Sequence, residues 1–374
     1  MKIVSRITAV FTLAFIAVFA AMTFFGDKND FSAEENRCLA AVPEPDKSGL
    51  YDGSTSAELG SYVTDHFAGR SQWLVAGTMI QTQLSESIVN GVYVTDERLI
   101  DTENSGESIV SAADIFNRFD EDHHGMVYIV AVPTSAGVYG DVLPHNIVSR
   151  SESQQISEFY DALNSDIRRI DAYNILKMLK DNYIYYRSDT KWTVYGAYCV
   201  YKTVIQKLGM LPTAYDKFTI EHVTNNFRGD LYNRTLSEKP KADIMDIYDN
   251  RDGTEVVSCT VIHKDGSKGE GTVYDRSRLG TGDMYSMYLG ETVPVMNIKT
   301  TNNSNNRLLV VKDSFGDCFV PFLLQHYSEI TVVSPEELEG ELSDHVNVGD
   351  YSQTLFLFGI DSLENRELIS KIKA

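Results

Sequence analysis

The stretch from Arg307 to Leu324 carries a hydroxyl, Ser314, where a short apolar run stops at Asp313-Ser314-Phe315-Gly316 and a second apolar segment of helical spacing begins. In an α/β protein, a strand, a sharp turn and a helix in that order set a side chain at the C-terminal edge of the sheet, beside the positive end of a helix. A serine hydroxyl becomes a nucleophile when a neighbouring base takes its proton. A carboxylate normally orients that base. Developing charge on an attacked carbonyl is met by amides at a helix start, here those of Ser314 and Phe315. A second stretch, Ser188-Asp189-Thr190-Lys191-Trp192, supplies a carboxylate and, two residues on, an amine. The candidate catalytic residues are therefore Ser314 as nucleophile, Asp189 as orienting acid and Lys191 as base. Each piece also has a plainer use, since Asp-Ser before a helix, and Ser188 or Asp189, are ordinary N-caps.

An ammonium at its usual pKa of about 10.4 accepts no proton. Burial lowers that value, and Tyr185, Tyr186, Trp192 and Phe315 offer a dry setting. A carboxylate as near as Asp189 favours the charged form and opposes the shift. The histidines offer no obvious replacement. His123 and His124 precede a strand and so belong to the opposite sheet edge, while His326 ends the segment after Ser314. His66, His145, His222 and His263 read as surface residues. Trp192 and Phe315 are candidate substrate contacts, as are Arg228 and Tyr232 in a polar loop, whose plainer use is structural pairing. Nothing in the pattern calls for a metal or another cofactor.

The elements that must position these residues alternate. Residues 127–132 read as a buried parallel strand. Helical spacing covers 57–67, 73–88, 108–119, 151–168, 173–179 and 192–208, and residues 91–100 read as a hairpin. Residues 183–186 form an aromatic strand leading into the Asp189 loop. Residues 213–305 change character, with alternating strands and Asn/Asp/Gly turns, and read as a β-rich insertion. The alternation then resumes: strand 308–311, helix 315–327, strands 329–333 and 354–359, helix 362–372. This pattern predicts an α/β fold, a parallel sheet with helices on both faces.

The chain has 374 residues and 43% hydrophobic content, ample for a packed core. Its formal charge of −20, from 53 acidic and 33 basic side chains, argues against nucleic acid as a partner. Lys2 and Arg6 precede a nearly unbroken apolar run over residues 7–25, about the ~20 needed to span a bilayer. The flanking charges place the N-terminus in the cytoplasm and export the remainder. Residues 1–26 thus read as a membrane anchor or signal segment, 27–60 as a tether and 61–374 as the exported domain. The expected location is extracytoplasmic, anchored by one N-terminal helix, or secreted if the segment is cleaved. Cys38, Cys199, Cys259 and Cys318 lack metal-type spacing. They read as small core residues or as one or two disulfides.

The stretch Tyr185-Tyr-Arg-Ser-Asp-Thr-Lys-Trp-Thr-Val-Tyr-Gly-Ala-Tyr198 resembles the signature of the bacterial DHHW family and the Asp-x-His-Trp motif of alginate acetyltransferases. Lys312-Asp-Ser-Phe-Gly-Asp-Cys-Phe-Val-Pro-Phe-Leu323 is similar to that family's serine motif. Further similar segments are Asp65-His-Phe-Ala-Gly-Arg-Ser-Gln-Trp73, Asn90-Gly-Val-Tyr93 and Phe227-Arg-Gly-Asp-Leu-Tyr232. The resemblance implies an SGNH-hydrolase-like three-layer α/β fold in permuted order, the Asp motif preceding the serine. It also implies O-acetyl transfer or esterase chemistry on cell-envelope polysaccharide, with the acetyl group supplied by a multi-pass membrane acyltransferase. This sequence departs from the family at one position, where Lys191 stands in place of histidine. The alternative is a catalytically degenerate glycan-binding or accessory protein.

Overall fold

The computed structural model describes residues 2–373 apart from 27, 45–46, 84–86, 104–107, 124, 145–146, 148–150 and 251–252. The chain divides into two compact units, Met1–Asn90 with Asn233–Glu238, and Gly91–Tyr232 with Lys239–Ala374. In the first unit the helix Lys2–Phe25 opens the chain, and its segment Arg6–Phe25, with a mean hydropathy of 2.3, is long and apolar enough to cross a bilayer. Paired strands Phe31–Ser32 and Arg37–Cys38 and helices Ser54–Asp65 and Arg70–Gln83 follow. The Asp65 to Trp73 motif works structurally here. Arg37 lies 2.5 Å from the Asp65 carboxylate and Arg70 3.6 Å from it, and the Arg37 hydrogen bonds hold Asp65 down to about 2.

The second unit is built on one eight-stranded sheet. Its strands in chain order are β1 (Met126–Val132), β2 (Arg168–Asp171), β3 (Val256–Ile262), β4 (Lys268–Glu270), β5 (Val295–Thr300), β6 (Arg307–Lys312), β7 (Glu329–Val333) and β8 (Gln353–Gly359). Across the sheet they run β4-β3-β5-β7-β6-β8-β1-β2. The five from β7 to β2 are parallel. Strands β5, β3 and β4, all from residues 213–305, extend one edge in antiparallel pairing. The strands Thr219–Phe227 and Asp243–Asp249 pair separately as a hairpin.

Alternation along each strand divides the core into two layers. Val127, Ile129 and Ala131 join Leu309, Val311, Phe356 and Phe358 against the helices Val110–Asp122 and Glu152–Ala162. Tyr128, Val130 and Val132 join Leu308, Val310, Leu355 and Leu357 against the helix Val194–Lys207. The expected three-layer α/β arrangement is present, and both sheet faces are covered, which is why the strands read as continuous apolar runs.

Four expected elements differ. The helix expected over 151–168 ends at Ala162, and Arg168 opens β2. Residues 315–327 form a 3-10 turn, Ser314–Gly316, and a single helical turn, Val320–Leu323, because Pro321 interrupts the amide ladder. Residues 362–372 split into Ile360–Glu364 and Arg366–Ser370, the second capped by Asn365. Residues 183–186 make no strand. The chain doubles back, Tyr186 bonding to the Lys191 carbonyl and Thr193 to that of Ile184, so that only the bridge Tyr185 to Trp192 forms. All four cysteines are free thiols, Cys38 exposed and the others buried.

Phe116 is fully buried, with its ring 5.0 Å from Phe356 and 5.8 Å from Phe159. Phe116→Ala is expected to cost about 3–5 kcal/mol, read as a lowered denaturation midpoint with unchanged slope.

Candidate active site

Ser314 begins the turn at the C-terminal end of β6 and is half-buried. Asp313 shapes that turn. One of its oxygens accepts the Phe315 N–H at 2.9 Å, and the other accepts Gly359 N–H and the Ser362 hydroxyl at 2.6 Å each. The end of β8 thereby pins the turn. Gly359 is required there, since a Cβ would lie 2.6 Å from the Phe315 ring. The Phe315 amide, expected to face an oxyanion, is taken by Asp313. No hydrogen bond joins Ser314 Oγ to a described residue, while the Ser314 carbonyl accepts the Tyr285 hydroxyl at 3.3 Å.

The Asp189 loop is held from below by Asp243, which is fully buried. Asp243 accepts the Tyr183 hydroxyl at 2.6 Å, Arg187 N–H at 2.8 Å, Ser188 N–H at 2.9 Å and the Ser188 hydroxyl at 2.5 Å. From above, the segment Phe227 to Tyr232 lays its backbone against the loop. Gly229 N–H reaches the Ser188 hydroxyl at 3.2 Å, Asp230 N–H the Asp189 carboxylate at 3.1 Å, and Tyr232 N–H the Ser188 carbonyl at 3.1 Å. Only glycine fits at 229, because a Cβ would lie 2.1 Å from Asp189 Oδ2. The two site segments meet where the Trp192 indole N–H donates to the Phe315 carbonyl at 2.9 Å.

Lys191 is nearly buried. Its Nζ donates to Asp189 at 3.1 Å and to Asp230 at 2.7 Å, and sits 5.0 Å above the Tyr285 ring. Burial alone would lower its pKa. The charges of Asp189 and Asp230, with their hydrogen bonds, outweigh burial and hold the ammonium well above its ordinary value. Burial pushes the Asp189 carboxyl up, opposed by the Lys191 charge and by two backbone amides. Beside this pair lies a second, Lys312 to Asp317, almost wholly enclosed. Burial raises the Asp317 carboxyl, and the charges of Lys312 and Lys191 act against that rise.

A family model described as DHHW protein covers residues 72–333, more than half of the chain. The chain belongs to the DHHW family. A solved DHHW family protein from Eubacterium siraeum is similar, with 22% identity and a TM-score of 0.67, covering 77% of this chain and 97% of that one. Bacillus cereus PatB1, solved with a sulfonyl adduct, is similar with 18% identity and a TM-score of 0.62, covering 76% and 98%. No curated protein matches the sequence. The fold of this DHHW protein is SGNH-hydrolase-like.

The structure places the other expected residues less uniformly. Trp192, a candidate substrate contact, is fully buried with its ring 5.6 Å from Phe315, also enclosed; both pack the two segments together. Arg228 lies over the Tyr232 ring at 4.8 Å and donates to the Pro240 carbonyl at 2.8 Å. Asp230 was not singled out by the sequence reading, although it lies inside a segment marked there by resemblance. The described histidines are engaged elsewhere: His66 with the Tyr62 carbonyl, His123 with that of Phe119, and His222 with Asp246. His263 closes the turn between β3 and β4. His124 and His145 lie outside the described residues.

His326 Nε2 and the Tyr201 hydroxyl are hydrogen-bonded at 2.6 Å, and Tyr201 in turn accepts the Thr213 N–H. Burial lowers its pKa to about 4 from 6.5. Between those values the unfolded chain binds the proton and the folded chain does not, so stability falls as pH drops through that window. His326→Gln is expected to remove a loss of about 3 kcal/mol between pH 7 and pH 4, measured by urea denaturation at both.

Proposed function

We propose that this DHHW protein is exported and held at the membrane by its N-terminal helix. There it binds cell-envelope polysaccharide as an accessory to a multi-pass membrane acyltransferase. Family membership, and the resemblance of its two motifs to those of alginate acetyltransferases, support the polysaccharide and acetyl context. The observation that carries the accessory role is the position of Lys191 Nζ between two carboxylates, 3.1 Å and 2.7 Å away. A charged ammonium has no lone pair with which to take the Ser314 proton, and the base step alone contributes roughly 10²–10⁴ in rate.

A second reading is O-acetyl transfer or ester hydrolysis through Ser314. It is favoured by the half-buried Ser314 hydroxyl, which is hydrogen-bonded to no described residue. In that reading Oγ attacks the acetyl carbonyl as its proton leaves to a base, the departing alcohol takes a proton, and a sugar hydroxyl or water then attacks the acyl-serine. Asp189 would orient Lys191, Lys191 in its neutral form would be the base that takes the Ser314 proton, and Arg228 and Tyr232 would contact the sugar.

Sulfonyl reagents, the class that forms an adduct with PatB1, separate the two readings. The full chain in detergent is treated with a sulfonyl fluoride, and separately with an activated acetyl ester, and Ser314 is followed by mass spectrometry. The accessory reading expects negligible labelling of the wild type and at least about 100-fold faster labelling in Lys191→His. Labelling of the wild type that disappears in Ser314→Ala would overturn it in favour of transfer.

A further inference from the structure

A cavity of about 640 Å³, within the range of saccharide- and cofactor-sized sites, opens beside the Asp189 loop, and of the two motifs of the serine site only Arg187 lines it. Two arginine–tyrosine stacks form its walls. The Arg98 guanidinium lies 3.5 Å from the centre of the Tyr139 ring, and that of Arg187 lies 4.5 Å from the centre of Tyr183. Lys180 completes the cationic lining.

The charges on this wall are not equally committed. Asp141 is bridged to Lys180 at 2.5 Å and to Lys177 at 3.2 Å. Arg187 faces Asp243 at 3.6 Å. Glu97 and Asp181 also stand at the wall, yet Arg98 makes no ion pair with a described carboxylate. Its Nη1 is shielded from solvent without a hydrogen-bond partner among the described residues, and so is the hydroxyl of Tyr139, a side chain only 8% exposed. A buried guanidinium nitrogen left unpaired costs more than almost any other polar group, so a ligand that pairs it gains accordingly.

Both groups are held in place. The Arg98 backbone is fixed by Thr95, whose hydroxyl accepts the Arg98 N–H at 2.9 Å and donates to its carbonyl at 2.8 Å. The next amide, Leu99 N–H, donates to the Arg187 carbonyl at 2.7 Å. Tyr139 closes the short helix Ser135–Tyr139, capped by Thr134 at the C-terminal end of β1. The cavity wall is therefore continuous with the loop that carries Asp189 and Lys191.

We propose that this cavity binds an anionic saccharide, its carboxylate or phosphate on the Arg98 fork and the Tyr139 hydroxyl, and its ring alongside the two arginine–tyrosine stacks. A planar guanidinium already lying flat on an aromatic ring loses little freedom on binding and presents its nitrogens for bidentate contact. The proposal deepens the polysaccharide reading above and rests on it for the saccharide part of the ligand. The acylation test is read at Ser314 and this one at Arg98, so each can fail alone.

The test is calorimetric titration of the full chain in detergent with three probes. They are a galacturonate trimer carrying carboxylates, mannose 6-phosphate carrying phosphate, and the neutral galactose trimer. Binding of at least one anionic probe is expected, the two arms telling which anion the site takes. The neutral trimer should bind at least about tenfold more weakly, and Arg98→Met should cost the anionic probe at least about tenfold. If Arg98→Met lowers the thermal midpoint, Arg98→Lys decides instead. It keeps the charge but neither the stack nor the fork, and weakened binding supports the site. Absence of binding by both anionic probes, equal binding of the neutral trimer, or wild-type affinity in the deciding variant would overturn the proposal.

Discussion

The candidate site is organised around one buried ammonium. Taking Lys191 out of water costs several kcal/mol, and a single carboxylate seldom repays that on its own. Here two converge on it, Asp189 from the doubled-back loop and Asp230 from the segment crossing above. Bringing both within reach dictates much of the local backbone. Asp189 must pass close over residue 229, so that position is glycine. The amide of residue 230 must point at Asp189, which sets the start of the helix Asp230–Thr235. Asp243 below fixes the Ser188 amide and hydroxyl, and thereby the level at which Asp189 stands.

A histidine at position 191 would meet the same surroundings differently. An imidazole can hold a carboxylate with one nitrogen and offer a lone pair with the other, so an acid on one side orients it for proton transfer. An ammonium has only donors. Every acid brought near it deepens its protonation, and Asp230 adds to what Asp189 already does. The Lys312–Asp317 pair adds a third carboxylate whose field reaches Lys191. The geometry that would orient an imidazole instead immobilises a lysine.

Much of this was legible in the sequence for identifiable reasons. Parallel strands buried on both faces leave unbroken apolar runs, so β1, β6, β7 and β8 stood out. The helices packed against them carry strong periodicity. The serine turn was readable because an apolar run ended abruptly at Asp313. Less was visible where long-range contacts decide the conformation. Residues 183–186 are aromatic enough for a strand, yet their amides and carbonyls close a tight loop with residues 191–193. The segment after Ser314 has helical spacing, but Pro321 and the tight seat of Gly316, whose Cβ would lie 2.6 Å from Lys312, break it into two turns. Asp230 lacked a local signature because its partner lies 39 residues away in sequence. Trp192 and Phe315 looked like ligand contacts because aromatics near a catalytic motif so often are, whereas here they fasten the two halves of the rim to each other.

That fastening bears on what the rim can do on either reading of the site. Its rigidity comes from contacts that are independent of proton transfer: the Trp192 indole on the Phe315 carbonyl, Asp313 on the end of β8, and Asp243 beneath the Asp189 loop. A site held in shape by such contacts keeps its ability to position a bound molecule when the reacting group is replaced, since binding asks for a fixed surface and catalysis asks in addition for a matched proton acceptor. On the accessory reading, an ammonium at the centre meets the first requirement and not the second.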